Sequence, residues 1–347
     1  MFHRSLGKTG ISLPPVIFGT SALGNLYSTL SDEIKTKIVD ECFKHVPVPV
    51  VFDSAGKYGA GLALEMLGSC LRKLNINPDK VIISNKLGWI RTELKTPEPT
   101  FEPGVWRNLK YDAIQNISYE GIITSFEQGN DLLGGYMPQL VSVHDPDEYI
   151  AGARSEAEKE RLYSQIIDAY RALSDLRSQG KVRAVGIGAK NWKVIQKVSG
   201  DVKLDWVMFA NSMTIMYHPP DLLDFMKVLQ GKGVGIVNSA VFHAGFLTGG
   251  NYFDYVLIKP DTPENRARFK WRDDFFALCK KHNIQPSTAC INFAMTAPEV
   301  VSISLNTSNP ARIKDNVESV MADVPREFYA DMVKHNLISK NYPYLGL

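Results

Sequence analysis

The chain has 347 residues, 44% apolar and 22% charged, the composition of an ordinary globular protein and not of a disordered one. Its formal net charge of +2 is too small to argue for nucleic acid or an anionic membrane as a partner. No apolar run approaches a membrane span, and Met1-Phe2-His3-Arg4-Ser5 lacks the apolar core of a signal peptide. The cysteines Cys42, Cys70, Cys279 and Cys290 lie far apart with no Cys-x-x-Cys pair, so buried free thiols in a cytoplasmic protein without a metal site are expected.

In chain order, Arg4 to Leu13 reads as a hairpin around Gly7-Lys8-Thr9-Gly10. It is not a phosphate loop, because the earlier glycine of that motif and a preceding buried strand are both absent. Pro15 to Thr20 reads as a first core strand, and Ser31 caps a helix that runs to about His45. Val48, Val50, Val51 and Phe52 then form a buried strand that ends in Asp53, followed by a glycine-punctuated loop with Lys57 and Tyr58. Leu64, Leu67, Leu71 and Leu74 mark the next helix, and Val81 to Lys86 the third strand. Residues 91–116 show no period and read as a long loop, a kind that is usually functional. A helix opens at Ser118-Tyr119-Glu120, and Leu140 to Asp145 is the fourth strand, ending in His144-Asp145.

Leu162, Ile166, Ala169, Leu173 and Leu176 give the clearest helical stripe, closed by Gln179-Gly180. Strands follow at 182–188, 206–211 and 235–239, then a second irregular stretch at 244–262. Helices around Phe275-Phe276 and after Pro286 precede the eighth strand, 300–305, and another helix starts near Pro310, with a mixed tail after Pro325. Eight short strands alternating with helices, without a linker or a composition break, predict a single α/β domain over 1–347. The expected fold is a (β/α)8 TIM barrel with an N-terminal β-hairpin and long loops at the C-terminal mouth. A doubly wound sheet is the rival, but Gly186-Ile187-Gly188 lacks the third glycine of a dinucleotide fingerprint.

In a barrel, successive strand ends ring one mouth. Asp53, Tyr58, Lys86 and His144 then converge, and their chemistry is complementary. An ammonium near a tyrosine favours its phenolate, a buried ammonium needs a carboxylate, and a histidine can hydrogen-bond a substrate oxygen. The ring reads as a general acid/base site.

The chain resembles the aldo-keto reductases along nearly its whole length. The resemblance rests on Arg4 to Gly10, Phe18-Gly19-Thr20, Phe52-Asp53-Ser54-Ala55 with Tyr58-Gly59, and Asn85-Lys86. It continues through Val143-His144-Asp145-Pro146-Asp147, Gly180 to Ile187 and Arg312-Ile313-Lys314-Asp315-Asn316. It implies a nicotinamide dinucleotide bound without a Rossmann domain, and a catalytic tetrad of Asp53, Tyr58, Lys86 and His144. The stretches 118–127 and 241–255 resemble the branch that oxidises D-threo-aldoses, L-fucose and L-galactose at C1. The implied reaction is oxidation of an aldose to a lactone, with Tyr58, as phenolate or partly so, taking the C1 hydroxyl proton.

The resemblance also implies dinucleotide contacts from Gly19, Thr20, Asn211, Ser239, Phe242, Gly245, Asn306, Thr307, Arg312 and Asn316. Ser239 stands where the family often has a stacking tyrosine, and Asn306 where a lysine helps to bind the 2′-phosphate of NADP. The balance leans to NAD over NADP. Trp89, Trp106, Tyr111 and Tyr119 are the expected sugar contacts, by stacking and hydrogen bonding. The rival activities are an NADPH-dependent aldehyde or ketone reductase and a slow, cofactor-binding regulatory subunit. The expected partner is a small sugar or aldehyde, with the chain a monomer or a homo-oligomer.

Overall fold

In the computed structural model, which describes residues 3–347, the β-branched runs of the sequence pair in chain order. The strands are β1 (Val16–Gly19), β2 (Val50–Ala55), β3 (Val81–Leu87), β4 (Leu140–His144), β5 (Ala184–Ala189), β6 (Trp206–Ala210), β7 (Gly235–Ser239) and β8 (Val300–Leu305). Each lies parallel to the next, and β8 pairs with β1 to close a barrel. Parallel strands buried on both faces account for the near-continuous apolar runs.

Along each strand, alternate residues face the barrel interior. Ile17, Val51, Ile82, Leu140, Ala184, Trp206 and Val237 pack together in one apolar layer. The N-terminal hairpin, Arg4–Ser5 against Ser12–Leu13, adds Leu6, Ile11 and Leu13 to that layer and closes the barrel's floor. Its turn docks at residue 233: Lys8 N donates to Gly233 O at 3.0 Å, and a Cβ on Gly7 (φ +54°) would lie 2.3 Å from that oxygen. Two residues further along β2 to β4, the same inward stripe becomes polar with Asp53, Ser84 and Ser142, and two further still it reaches Lys86 and His144.

The outer layer is helical. Ser31, Ser118 and Ser155 each accept a backbone N–H of the first turn, capping the helices Asp32–His45, Tyr119–Leu133 and Glu156–Ser178. The last of these buries Leu162, Ile166, Ala169, Leu173 and Leu176, the stripe read from the sequence. No helix among the described residues is long and apolar enough to cross a membrane. All four cysteines are buried and free.

Five segments differ from the sequence reading. The expected loop at 91–116 begins and ends in a hairpin, Trp89–Glu93 against Tyr111–Gln115, whose half-exposed strands lack clean alternation. Helix Trp192–Asp201 was not expected, although Asn191 caps it and Trp192, Ile195 and Val198 form its buried stripe. Pro146–Ala151 is a short helix directly after β4, and the tail folds as Arg326–Lys334, burying Phe328, Tyr329 and Met332. The stretch 244–262 contains a tight turn at Phe246–Thr248 and a small hairpin, Tyr252–Phe253 with Val256–Leu257.

Candidate active site

The β2–β3 ladder sets the first contacts. Asp53 lies opposite Ser84 in register, and Ala55 opposite Lys86. One Asp53 carboxylate oxygen therefore accepts from the adjacent Ser84 hydroxyl at 3.0 Å, and the other accepts from the diagonal Lys86 ammonium. Lys86 also donates to the Tyr58 hydroxyl at 3.2 Å. Tyr58 reaches that point through a turn at Gly56, where a Cβ would meet the Trp89 carbonyl at 2.6 Å. His144, at the end of β4, meets the Tyr58 ring edge-on with centroids 5.6 Å apart. The four side chains are thus brought together above the apolar layer.

Burial and charge compete at each group. Burial alone would depress the Lys86 ammonium, but the Asp53 carboxylate outweighs it, helped by Tyr58, and the net shift is upward. Tyr58 keeps part of its ring open to the cavity, yet the surrounding protein pushes its pKa up more than the Lys86 charge pulls it down. Desolvation thus works against the tyrosinate more strongly than the neighbouring cation works for it. Burial, with Lys86 and Lys57 adding to it, drives His144 well below its ordinary value, so the imidazole is neutral.

These groups line one end of a cavity of about 910 Å³. It runs past Ser239 and the 240–248 turn to Asn306, Thr307 and Arg312. Of the expected dinucleotide contacts, Gly19, Ser239, Phe242, Gly245, Asn306, Thr307, Arg312 and Asn316 line it. Thr20 does not. Its hydroxyl is hydrogen-bonded to the Ser54 hydroxyl (2.8 Å) and to Asp53 O (3.1 Å), so it braces β2. Asn211 is buried beside Ser239 without being in the wall, and its side-chain oxygen and nitrogen lack partners among the described residues.

Two helices, Pro286–Ala294 and Arg312–Met321, point N-termini without side-chain caps at the far end. The positive end of a helix suits phosphate oxygens. An extended dinucleotide therefore fits the residues present. Gln285 to Thr288 and the carboxylates Asp315 and Glu318 also line this end and were missed from sequence. Only the Pro at the helix start hinted at the first group.

The expected sugar contacts divide. Trp106 lines the cavity, its ring 5.8 Å from that of Tyr58. Trp89 is buried against Phe101, outside the cavity wall. Tyr111 is 43% exposed on the hairpin, stacked on the Arg91 guanidinium at 4.3 Å. Tyr119 donates to Asp175 at 2.8 Å on the outer helical layer. These three are corrected: the hairpin turns Trp89 and Tyr111 away from the mouth, and Tyr119 sits in the first turn of a barrel helix. Tyr27, Lys57, Glu102, Asp145, Lys190 and Tyr255 stand in the wall instead. Proximity in sequence to Tyr58 and His144 was the only signal for Lys57 and Asp145.

A closed barrel with its ionisable groups gathered at the C-terminal strand ends is the architecture of the (β/α)8 enzymes. The chain belongs to the Aldo/keto reductase family, whose sequence profile matches residues 15–337. It is an oxidoreductase of a family that uses NAD(P) and acts on small molecules.

Among its relatives is a pyridoxal 4-dehydrogenase of Microbacterium luteolum, 27% identical over 97% of this chain and 98% of the relative. A D-threo-aldose 1-dehydrogenase of a Pseudomonas species is 24% identical over 95% and 96%. In fold, the chain is similar to an aldo-keto reductase from Bacillus halodurans in its holo form. That likeness has a TM-score of 0.70 and 17% identity, and covers 99% of both chains.

Proposed function

We propose that the protein oxidises the C1 hydroxyl of a free aldose to a lactone. The observation that carries this reading is the Asp53–Lys86–Tyr58 hydrogen-bond chain beside a neutral His144, at the deep end of a long cavity. Tyr58 is the proton-transfer residue. Lys86, held as a cation by Asp53, stabilises the tyrosinate that oxidation requires. The neutral imidazole of His144 donates one N–H to the reacting oxygen and orients it. When bound, the dinucleotide supplies the hydride acceptor or donor.

Support for a sugar comes from the Trp106 face beside Tyr58, from the charged hydrogen-bonding wall around Lys57, and from the aldose dehydrogenase among the relatives. The residues we assign to the dinucleotide are Asn211 and the wall from Gly19 to Asn316. NAD is the preferred form. Asn306 offers no positive charge, and Asp315 and Glu318 stand beside Arg312 where a 2′-phosphate would bring further negative charge.

One observation favours a second reading. A resting phenol at Tyr58 is a ready proton donor, which suits reduction of an aldehyde or ketone. The test is a screen of purified protein with NAD⁺ and NADP⁺ against L-fucose, L-galactose, D-arabinose and pyridoxal, with simple aldehydes in the reverse direction. Dinucleotide reduction by a free aldose supports the first reading. Activity confined to simple aldehydes replaces it with the second.

A further inference from the structure

Glu102 sits in the excursion between the two hairpin strands at φ +43°, a left-handed conformation that a non-glycine residue adopts at a cost. Its side chain uses both oxygens. Oε1 accepts from Lys57 Nζ at 2.8 Å, and Oε2 accepts from the Trp106 indole N–H at 2.7 Å. Lys57 is almost fully buried and is also bound by Asp145 (3.3 Å) and Glu148 (3.1 Å), with Lys190 on the far side of Glu148. Asp145 follows His144 directly, and its carboxylate lies 3.5 Å from His144 Nε2. Trp106 packs on Tyr58. One chain of charged and polar contacts therefore joins Trp106, through Glu102 and Lys57, to the residue beside His144.

The backbone reinforces this arrangement. Tyr27 N donates to Val105 O at 2.8 Å, and Arg107 N to Asn25 O at 3.1 Å, which ties the excursion to the segment after β1. Thr100 is anchored at the other end by the Asp112 carboxylate. The excursion is thus pinned along its edges, while Trp106, one of its residues in the cavity wall, is oriented by Glu102.

We propose that Glu102 is a positioning residue of the substrate pocket: it holds the Trp106 indole over Tyr58 and ties it to the Lys57 cluster. Lys57, Lys86 and Lys190 stand in the wall at this end with Asp53, Glu102 and Asp145, three cations to three carboxylates, so the pocket carries no formal charge excess and suits an uncharged, hydroxyl-bearing substrate. This deepens the aldose reading and rests on it for the substrate class.

The test compares Glu102→Ala and Glu102→Gln with the wild type, on whichever free aldose or simple aldehyde the wild type turns over. Glu102→Ala should raise KM about tenfold, with kcat changed less than about twofold and dinucleotide Kd unmoved, as for loss of a ground-state contact. Glu102→Gln keeps an oxygen acceptor for the indole and should recover most of the KM. The Trp106 emission, taken as the difference from Trp106→Phe in each background, should shift to the red in Glu102→Ala, with or without a substrate. An unchanged KM and emission, or a parallel fall in kcat, dinucleotide affinity and thermal midpoint, overturns the proposal. Failure of the wild type on every aldose counts against the sugar reading alone, because the emission and the aldehyde kinetics still decide the role of Glu102.

Discussion

At the scale of single residues, Tyr58 carries the sharpest expectation. Tyr58→Phe removes the proton-transfer hydroxyl and leaves the cavity's shape and the dinucleotide wall intact. Turnover should fall about 10²–10⁴-fold while dinucleotide affinity, read by fluorescence titration, holds steady. Unaltered turnover would remove Tyr58 from the mechanism.

The pH dependence follows from the direction of its shift. Burial raises the Tyr58 pKa above 10.0, so the tyrosinate needed for oxidation grows only on the alkaline side. The oxidative kcat should climb with pH beyond neutrality, and the reductive kcat should stay level there and decline only in strong alkali. Lys86→Met takes away the charge that pulls the pKa down, so the oxidative limb should move to higher pH. A pH–rate profile with its rise below neutrality would contradict the assignment.

These residues were legible in sequence because Asp53, Lys86 and His144 lie near strand ends and Tyr58 on the loop that follows one, and a barrel gathers strand ends. The protonation state of Tyr58 was not, because it depends on how much protein surrounds the hydroxyl. Glu102 was invisible for a related reason: its partners, Lys57 and Trp106, are joined only by the fold.

At the scale of elements, strand and helix patterns differed in how plainly they could be read. β7 and β8 are short, largely buried strands with β-branched residues between clear turn residues, and they fall where the sequence put them. The hairpin at Trp89–Glu93 and Tyr111–Gln115 did not announce itself. One of its faces meets solvent, its strands are 17 residues apart, and the charged residues Arg91, Glu93 and Asp112 interrupt any alternation. Tyr111 and Tyr119 were misjudged in consequence, since being near a long loop says nothing about which way a side chain faces. The N-terminal hairpin is the reverse case, small but structurally committed. Leu13 is fully buried in the floor layer. Leu13→Ala should therefore cost about 2–5 kcal/mol of unfolding free energy, the range for a leucine lost from a packed core. Denaturant titration would reveal it, with KM unchanged because the cavity lies on the other side of the layer.

At the scale of the whole molecule, cofactor choice becomes measurable as stability. A dinucleotide that binds only the folded chain should raise the thermal midpoint, by about 2.7 kcal/mol of added stability at 100 times its Kd. NAD⁺ should produce the larger shift at equal concentration. Asn306→Lys, which adds a cation beside Arg312, should narrow or reverse that order. A larger shift with NADP⁺ in the wild type would defeat the preference. The barrel itself was legible from eight strand–helix alternations, whereas the identity of the wall residues at the Arg312 end was not. Gln285 to Thr288 and Glu318 come from two helices on either side of β8 in the chain, brought to one groove by packing on each other, with Thr288 Oγ1 2.9 Å from Ser319 Oγ.

The closed floor has a consequence for proton traffic. Beneath Lys86 and Asp53 lie Trp206, Leu6 and Leu13, and a Cβ on Gly186 would already touch the Trp206 ring at 2.3 Å. On the proposed mechanism, with apolar side chains below, the proton that Tyr58 takes up is expected to return to solvent through the cavity, so that its release and that of the product share one space.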